Sequence, residues 1–275
     1  MRRANGEPAA AKGGPRTLAL DIGGTGLKAS VLDVEGRMLV KRARIPTPYP
    51  CRPTILLRAL VELAAALPAF DRISIGFPGV VRCGRVITAP HFDMEAFKDY
   101  PLESAVARRL GKPARLLNDA EVQGLGVVSG RGLEVVLTLG TGVGSAVFSD
   151  GRLAPHIELA HHPIRHRMTY NDYVGNAART ALSREKWNRR VVKMIGIVQS
   201  LLHYDMLYLG GGNAANIVVA LPRNVRIASN DAGITGGIRL WDDAVWRAIR
   251  PVRPRARRPA GLTSASAHPV EADPA

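Results

Sequence analysis

The chain has 275 residues, of which 46% are hydrophobic and 22% are charged. This composition is typical of a globular protein with a sizeable core and excludes disorder along the whole chain. The length allows one large domain or two ordinary ones, because a single core seldom grows beyond about 250 to 300 residues. The formal net charge of +15 suggests a polyanionic partner, although a basic surface serves solubility equally well.

The composition of the two termini and the number of cysteines indicate the compartment and exclude some classes of protein. Residues 1–16 predict a disordered leader, and the Pro- and Arg-rich residues 250–275 predict a disordered basic tail. Cys51 and Cys83 fit neither a disulfide scaffold nor a zinc site. Because no signal peptide and no long apolar run is found, we expect a cytoplasmic protein without a membrane span. A role of the tail in binding nucleic acid stays open, although its prolines argue against a recognition helix.

The first half of the globular chain predicts a β-meander that is followed by alternating helices and strands. The meander begins at Thr17, and a glycine turn at 23–26 separates its first two strands. The predicted strands are 17–20, 27–32, 38–45, 73–76 and 114–117, and the predicted helices are 55–67, 102–110 and 120–128.

The second half repeats this order of elements. Its predicted strands are 134–139, 144–148, 206–209 and 225–228, and its predicted helices are 171–182, 185–202, 214–221 and 234–249. The repeat predicts two α/β lobes with a cleft between them. We expect an N-terminal lobe at 17–117, a C-terminal lobe at 118–233, and a last helix that packs back on the first lobe.

A strand that ends in Asp21 and runs into the turn Gly23-Gly24-Thr25-Gly26 is the first candidate for chemistry. A glycine turn lets backbone N–H groups approach a phosphate without interference from Cβ atoms. Asp21 can then orient a hydrated Mg²⁺. An ordinary hairpin turn is the plain alternative. No Gly-Lys-Ser/Thr follows, and a strand rather than a helix comes next, so neither a Walker A loop nor a dinucleotide fingerprint fits.

Two further glycine turns support a phosphate site. Gly140-Thr141-Gly142 follows a strand of the second half, so it can face the first turn across the cleft. Gly210-Gly211-Gly212-Asn213 follows another buried strand and precedes a helical segment, whose N-terminus favours anions. Taken alone, this third turn is also compatible with a simple loop between a strand and a helix.

Polar side chains between the turns are candidates for catalysis and for acceptor binding. Asp119 lies where a strand meets a helix. At such a position a carboxylate can act as a general base that takes the proton of a substrate hydroxyl group. An N-cap of that helix is the alternative. Glu158, His161 and His162 can bind sugar hydroxyls or a metal pair, but adjacent histidines point apart and no cysteine cluster lies near, so zinc is disfavoured.

The order and spacing of these motifs resemble the ROK family of sugar kinases, most closely its polyphosphate glucokinase branch. The branch resemblance also uses Leu182-Ser183-Arg184-Glu185-Lys186-Trp187. The motifs are, in chain order, Leu20-Asp21-Ile22-Gly23-Gly24-Thr25-Gly26-Leu27-Lys28, Gly76-Phe77-Pro78-Gly79, Asn118-Asp119-Ala120, Leu139-Gly140-Thr141-Gly142-Val143-Gly144, Glu158-Leu159-Ala160-His161 and Gly210-Gly211-Gly212-Asn213.

The resemblance implies a two-lobed actin-like ATPase fold of the ribonuclease H-like type and a kinase that phosphorylates the 6-hydroxyl of glucose or a related hexose. It implies Asp119 as the catalytic base, polyphosphate or ATP as donor, Mg²⁺ held by Asp21 through water, no zinc, and a homodimer. The implied sugar-binding residues are Asn118, Glu158, His161 and Gly79. The implied phosphate- or nucleotide-binding residues are Asp21, Gly23, Gly24, Thr25, Gly26, Lys28, Gly140, Thr141, Gly142, Gly211, Gly212 and Asn213.

The chain departs from the family pattern at positions that concern the sugar. Ala160 replaces the glycine of Glu-x-Gly-His, and His91 replaces the asparagine of Ala-Pro-Asn. A second sugar-binding glutamate has no clear counterpart after His162. Two alternatives therefore stay open, namely a kinase for mannose or an N-acetylated hexosamine, and a sugar-binding regulator without catalysis.

Overall fold

The computed structural model describes residues 13–249. The predicted disorder of residues 1–12 and 250–275 falls outside this range. Arg16, the last residue of the predicted leader, donates its N–H to Asp71 Oδ2 at 2.8 Å. The ordered chain therefore begins before Thr17.

The strands follow the predicted order closely. They are β1 Thr17–Ile22, β2 Gly26–Leu32, β3 Ala43–Pro46, β4 Arg72–Phe77, β5 Val81–Arg82, β6 Arg85–Val86, β7 Ala114–Asn118, β8 Leu133–Leu139, β9 Val143–Ser149, β10 Arg152–Leu153, β11 Pro163–Arg165, β12 Met168–Thr169, β13 Met206–Gly210 and β14 Val225–Ile227.

The helices are mostly short. They are α1 Pro53–Ala65, α2 Met94–Phe97, α3 Leu102–Leu110, α4 Asp119–Leu125, α5 Tyr170–Val174, α6 Asn176–Ala181, α7 Arg184–Leu202, α8 Ala232–Thr235 and α9 Asp243–Ile249, with 3-10 helices at Gly212–Asn216 and Gly236–Trp241. Within residues 13–249, none of them combines the length and apolar character needed to cross a bilayer.

Two five-stranded sheets share one plan. Sheet A has the order β3-β2-β1-β4-β7 and sheet B the order β10-β9-β8-β13-β14. In each sheet three strands form an antiparallel meander, and two further strands extend it in parallel. This is the repeat of elements that the sequence predicts. The exact lobe boundaries stay a prediction.

The alternation of residues along β1 decides which side chains face the cleft. Leu18, Leu20 and Ile22 are buried in one core cluster with apolar residues of α1 and α3. Ala19 packs on the opposite face, against Ile234 of α8. Because side chains of a strand alternate between its faces, Asp21 lies on the same face as Ala19, away from α1.

Helix α4 lies between the two sheets. Its Val122 and Leu125 are buried with Leu117 of β7 and with Val136 and Phe148 of sheet B. The N-terminus of α4 therefore lies where the carboxyl ends of sheet A meet the turns of sheet B.

Three predicted helices and one strand differ in the structure. Helix 234–249 is replaced by α8, a 3-10 helix and α9, because Gly237 comes close to the sheet: its carbonyl accepts the hydroxyl of Ser74 at 2.6 Å. The predicted helix 171–182 breaks at Gly175, whose extended backbone separates α5 from α6.

The other two differences concern the predicted helix 214–221 and the predicted strand 38–45. The predicted helix 214–221 ends as a 3-10 helix at Asn216, because the side chain of Asn188 bonds the carbonyl of Asn216 and the N–H of Val218. The predicted strand 38–45 is reduced to β3 and a bridge between Leu32 and Met38.

Close packing at Gly236 gives a first test of how α4 and α8 are joined. A Cβ atom there would overlap the carbonyl oxygen of Val122 and lie 3.0 Å from the nitrogen of Gly126. We expect Gly236→Ala to lower the free energy of unfolding by about 1 to 3 kcal/mol, measured by denaturant titration.

Gly196 is the matched control for this substitution. It lies inside α7 with no atom within 4 Å of an added Cβ. Gly196→Ala should therefore stabilise the protein by about 0.5 to 1 kcal/mol. Equal effects of the two substitutions would contradict the close contact at Gly236.

Candidate active site

A cleft of about 430 Å³ lies between the turns of the two sheets. It brings together every site residue that the family resemblance implies. These are Asp21, Gly23, Gly24, Thr25, Gly26, Lys28, Gly79, Asn118, Asp119, Gly140, Thr141, Gly142, Glu158, His161, Gly211, Gly212 and Asn213. His162, a further candidate, does not line the cleft.

The first glycine turn is tightly closed and braced. The N–H of Gly23 donates to the carbonyl of Gly26 at 3.0 Å, and the hydroxyl of Thr47 donates to the carbonyl of Gly23 at 2.6 Å. Beside the turn, Lys28 Nζ lies 2.7 Å from Asp21 Oδ2. The cross-strand pairing of Asp21 with Lys28 places this ion pair on the cleft face of sheet A.

The second and third turns support one another. In the second turn, Gly140 N–H donates to the carbonyl of Gly142 at 2.9 Å, and Asn213 Nδ2 donates to the carbonyl of Gly140 at 3.1 Å. Gly211 has φ +79°, and a Cβ there would collide with the backbone of Leu139. Glycine is therefore required where the third turn approaches β8.

Asp119 is the first residue of α4 and faces the cleft. The N-cap is Asn118, whose Oδ1 accepts the N–H groups of Ala120 and Glu121 at 2.9 and 3.3 Å. The alternative reading of Asp119 as the cap is therefore wrong. Gly76 of β4 leaves room beneath it, since a Cβ there would lie 3.3 Å from Asp119 Cα.

The surroundings of Asp119 adjust its protonation. Burial, and then the neighbouring carboxylate of Asp21, raise the pKa of Asp119 to about 7, while the N–H of Ala120 and the charge of Lys28 act in the opposite direction. A carboxylate with a pKa near neutrality holds and releases a proton at similar cost. That property suits a general base.

Asn118 lines the cleft and also holds neighbouring backbone in place. Its Nδ2 donates to the carbonyl of Gly79 at 3.1 Å. Gly79 has φ +158°, and a Cβ there would overlap the carbonyl of Thr88. Asn118 thus fixes the loop after β4 against the start of α4.

A carboxylate, an imidazole and a second carboxylate form a chain, of which the imidazole and the second carboxylate line the other side of the cleft. His156 Nδ1 lies 2.9 Å from Glu121 Oε1, and His156 Nε2 lies 3.6 Å from Glu158 Oε2. Hydrogen bonding to Glu121, and then the nearby carboxylate of Glu158, raises the pKa of His156 to about 9 against the effect of burial. The ring is therefore cationic at neutral pH.

Glu158 is held in its ionised form by the same contacts. Burial acts to raise the pKa of Glu158, but His156 and the N–H of Ala160, which donates to Oε1 at 3.1 Å, hold it below its ordinary value. His161 lines the cleft with an exposed side chain.

His91 covers the first turn. A Cβ at Gly24 would lie 2.9 Å from its Cγ, so the imidazole rests on the glycine turn. Burial, and then the electrostatic interaction with His161, lower the pKa of His91. A neutral ring here adds no fixed charge beside the turn.

Several lining residues were missed by the sequence reasoning. Among them, Asn171 Oδ1 accepts the N–H of Val143 at 2.7 Å and so braces the second turn. The other polar ones are Arg42, Arg44, Gln123, Thr138, Ser145, His156, Asn176 and Asn230. Of these, Arg42 and Arg44 carried a usable signal, since they alternate with Ala43 and Ile45, with Arg42 just before β3 and Arg44 within it.

The metal prediction rests on one carboxylate. Within residues 13–249 no group of three His, Cys, Asp or Glu side chains is placed to hold a metal ion. Mg²⁺ is commonly bound by one or two carboxylates together with water and phosphate oxygens. Asp21 fits that pattern, because Gly233 leaves space beside its Oδ2, with an added Cβ at 3.5 Å.

The duplicated sheets and the cleft of facing glycine turns define a two-lobed actin-like ATPase fold of the ribonuclease H-like type. The ROK family model matches residues 17–157. The chain therefore belongs to the ROK family.

The chain is similar to several sugar kinases. Polyphosphate glucokinase of Mycobacterium tuberculosis H37Rv is 27% identical over 201 residues, which cover 70% of this chain and 76% of that protein. N-acetylmannosamine kinase of Escherichia fergusonii is 32% identical over 144 residues, half of this chain and 48% of that protein. The crystal structure of the inorganic polyphosphate/ATP-glucomannokinase from Arthrobacter sp. strain KM is 29% identical, with a TM-score of 0.75, covering 82% of this chain and 97% of that one.

Proposed function

We propose that the protein is a sugar kinase that transfers a phosphoryl group from polyphosphate or ATP to the 6-hydroxyl of glucose or a related hexose. The observation that carries this proposal is the position of Asp119, a carboxylate of raised pKa, in a cleft lined by two facing glycine turns. Phosphoryl transfer depends chiefly on positioning and on neutralising charge, and the cleft offers both.

In the proposed reaction, Asp119 accepts the proton of the sugar hydroxyl as its oxygen attacks the terminal phosphorus atom of the donor. The bond from that phosphorus to its bridging oxygen breaks, and the shortened donor keeps the bridging oxygen. In the turns at Gly23–Gly26 and Gly140–Gly142, the N–H groups other than those of Gly23 and Gly140, which are bonded within the turns, stabilise the phosphate charge together with the ammonium group of Lys28. Mg²⁺, held near Asp21 through water, would supply further neutralisation of the donor oxygens.

The sugar would lie between Asp119 and the chain of Glu121, His156 and Glu158. Glu158 accepts sugar hydroxyls, and His156 keeps its carboxylate ionised and oriented. His161 and the loop at Gly79 border the same space. Because Asn118 is already bonded to the loop, its contact with the sugar is the least direct of the proposed ones.

The setting and assembly are part of the proposal. Cys51 and Cys83 are both free thiols, as in proteins of reducing compartments, so we place the enzyme in the cytoplasm. A homodimer follows from the family resemblance and is tested by light scattering. Gly211, Gly212 and Asn213 would contact the nucleotide when ATP is the donor.

A non-catalytic sugar-binding regulator of the same family is the second candidate. It is favoured by the departures at Ala160 and His91, both of which line the cleft. A kinase for mannose or an N-acetylated hexosamine is the narrower alternative, and the match to an N-acetylmannosamine kinase supports including those sugars.

A matrix of donors and sugars tests these candidates. Polyphosphate and ATP, each with Mg²⁺, are combined with glucose, mannose, N-acetylglucosamine and N-acetylmannosamine, and sugar phosphate is measured by mass spectrometry. Formation of a hexose 6-phosphate supports the proposal. Sugar binding by calorimetry without product from any pair would favour the regulator.

A further inference from the structure

The cleft face of sheet A carries a row of charged residues that runs outward from the catalytic position. Asp21 on β1 pairs with Lys28 on β2, and Lys28 pairs with Arg44 on β3. Directly paired residues of neighbouring strands lie side by side on one face of a sheet. The row therefore places Arg44 two strands, roughly 10 Å, from Asp21.

The alternation along β3 confirms the direction of this row. Ala43 and Ile45 pack on the core cluster that contains α1. Arg42 and Arg44 consequently lie on the opposite face, and both line the cleft. β3 is an edge strand of sheet A, so the cleft opens past these arginines.

The two arginines differ in their partners. Arg42 Nη1 is bound by Asp231 Oδ1 at 3.1 Å and by the carbonyl of Asn230 at 3.0 Å. Arg44 has no carboxylate partner among residues 13–249, and a Cβ at Gly26 would lie 2.9 Å from its Nε. The guanidinium side chain of Arg44 thus lies over the exit of the first phosphate turn with its charge unpaired.

We propose that Arg44 binds the phosphates of an inorganic polyphosphate that follow the transferred one, and that the rest of the chain leaves the cleft across β3, past Arg42. This inference rests on the proposed kinase function and names the donor class of the same site. A guanidinium group presents a fork of N–H donors that matches phosphate oxygens, and such charge-assisted bonds are strong. Each further cation along the path of a linear polyphosphate adds binding free energy. ATP has only three phosphate groups and cannot make these further contacts.

Charged residues on an edge strand also serve to prevent pairing with other sheets, so the test separates the two roles. Arg44→Gln is compared with Arg44→Lys and with Arg109→Gln, a control that removes the same charge from an exposed position on α3. The KM values for tripolyphosphate, long-chain polyphosphate and ATP are measured at two salt concentrations, together with calorimetric binding of tripolyphosphate to the protein without sugar.

We expect Arg44→Gln to raise the KM for long-chain polyphosphate about tenfold or more, with a smaller rise for ATP and an intermediate effect of Arg44→Lys. Binding of tripolyphosphate should weaken in parallel, and its salt dependence should decrease. Arg109→Gln should change neither quantity by more than about twofold.

Three results would overturn the inference. The first is an equal rise in the KM values for ATP and long-chain polyphosphate, and the second is an equal effect of Arg44→Gln and Arg109→Gln. The third is turnover with ATP but not with polyphosphate, a result that would leave the proposed kinase function intact. Should no donor give product, the proposed function fails, and the calorimetric comparison still decides whether Arg44 binds condensed phosphate.

Discussion

Asp119→Asn should lower kcat/KM for sugar phosphorylation at least about 100-fold, because the amide cannot accept the proton of the attacking hydroxyl. The two side chains have nearly the same shape, so the cleft should keep its geometry. Initial rates of sugar phosphate formation, with sugar and donor each varied, provide the measurement. Near-normal turnover of the variant would remove Asp119 from the proposed role.

The pH dependence of the wild type belongs to the same prediction. Since the pKa of Asp119 is raised to about 7 and the base acts when deprotonated, kcat/KM should rise with pH and level off above about pH 7. A rate that is level from pH 5 to pH 9 would contradict a base with this pKa.

Stability supplies the control for folding. A carboxyl group whose folded pKa is raised holds its proton longer in the native state than in the unfolded state, so its contribution to stability is lost as pH rises from about 4 to about 7. Asparagine does not titrate. Asp119→Asn should therefore match or exceed the wild type in melting temperature at pH 8, and an inactive variant that melts lower would leave misfolding as the cause.

His156→Gln should have the second largest effect. Loss of the imidazole leaves the carboxylates of Glu121 and Glu158 close together without a cation between them. We therefore expect the KM for the sugar to rise about tenfold or more. The value of kcat should change much less, because Asp119 and the phosphate turns are untouched. His162→Gln is the matched control, since His162 is exposed beside His161.

The stability of His156→Gln distinguishes this contact from simple packing. The folded pKa of His156 is raised to about 9, so its ionic contribution is complete below the unfolded value near 6.5 and is lost as pH rises through about 9. The wild type should lose melting temperature between pH 7 and pH 9.5 relative to the variant. A constant difference across that range would show that only the volume of the ring matters.

The local patterns of the sequence were sufficient for most of the fold. The alternation in β1 and the glycine turns predict the two meanders, and the motif order predicts the family, which is confirmed by the match to the family model. These signals depend on neighbours in sequence, where strand periodicity and turn chemistry act directly.

Features set by distant contacts could not be predicted in the same way. The last helix is broken because Gly236 and Gly237 touch α4 and β4, far away along the chain. The bond between His156 and Glu121 joins residues 35 positions apart. The position of Arg44 beside Lys28 depends on the register of two strands, which single-residue patterns do not specify.

The most direct test of the proposed phosphoryl transfer is ³¹P NMR of wild type and Asp119→Asn under identical conditions with glucose, polyphosphate and Mg²⁺ at pH 8. We predict a growing resonance of a sugar 6-phosphate monoester with the wild type and none above background with the variant. The same comparison is repeated with ATP as donor and with the other hexoses, so that every proposed pair of donor and sugar is tested. No phosphomonoester with the wild type from any pair, or equal growth with Asp119→Asn, would contradict the proposal.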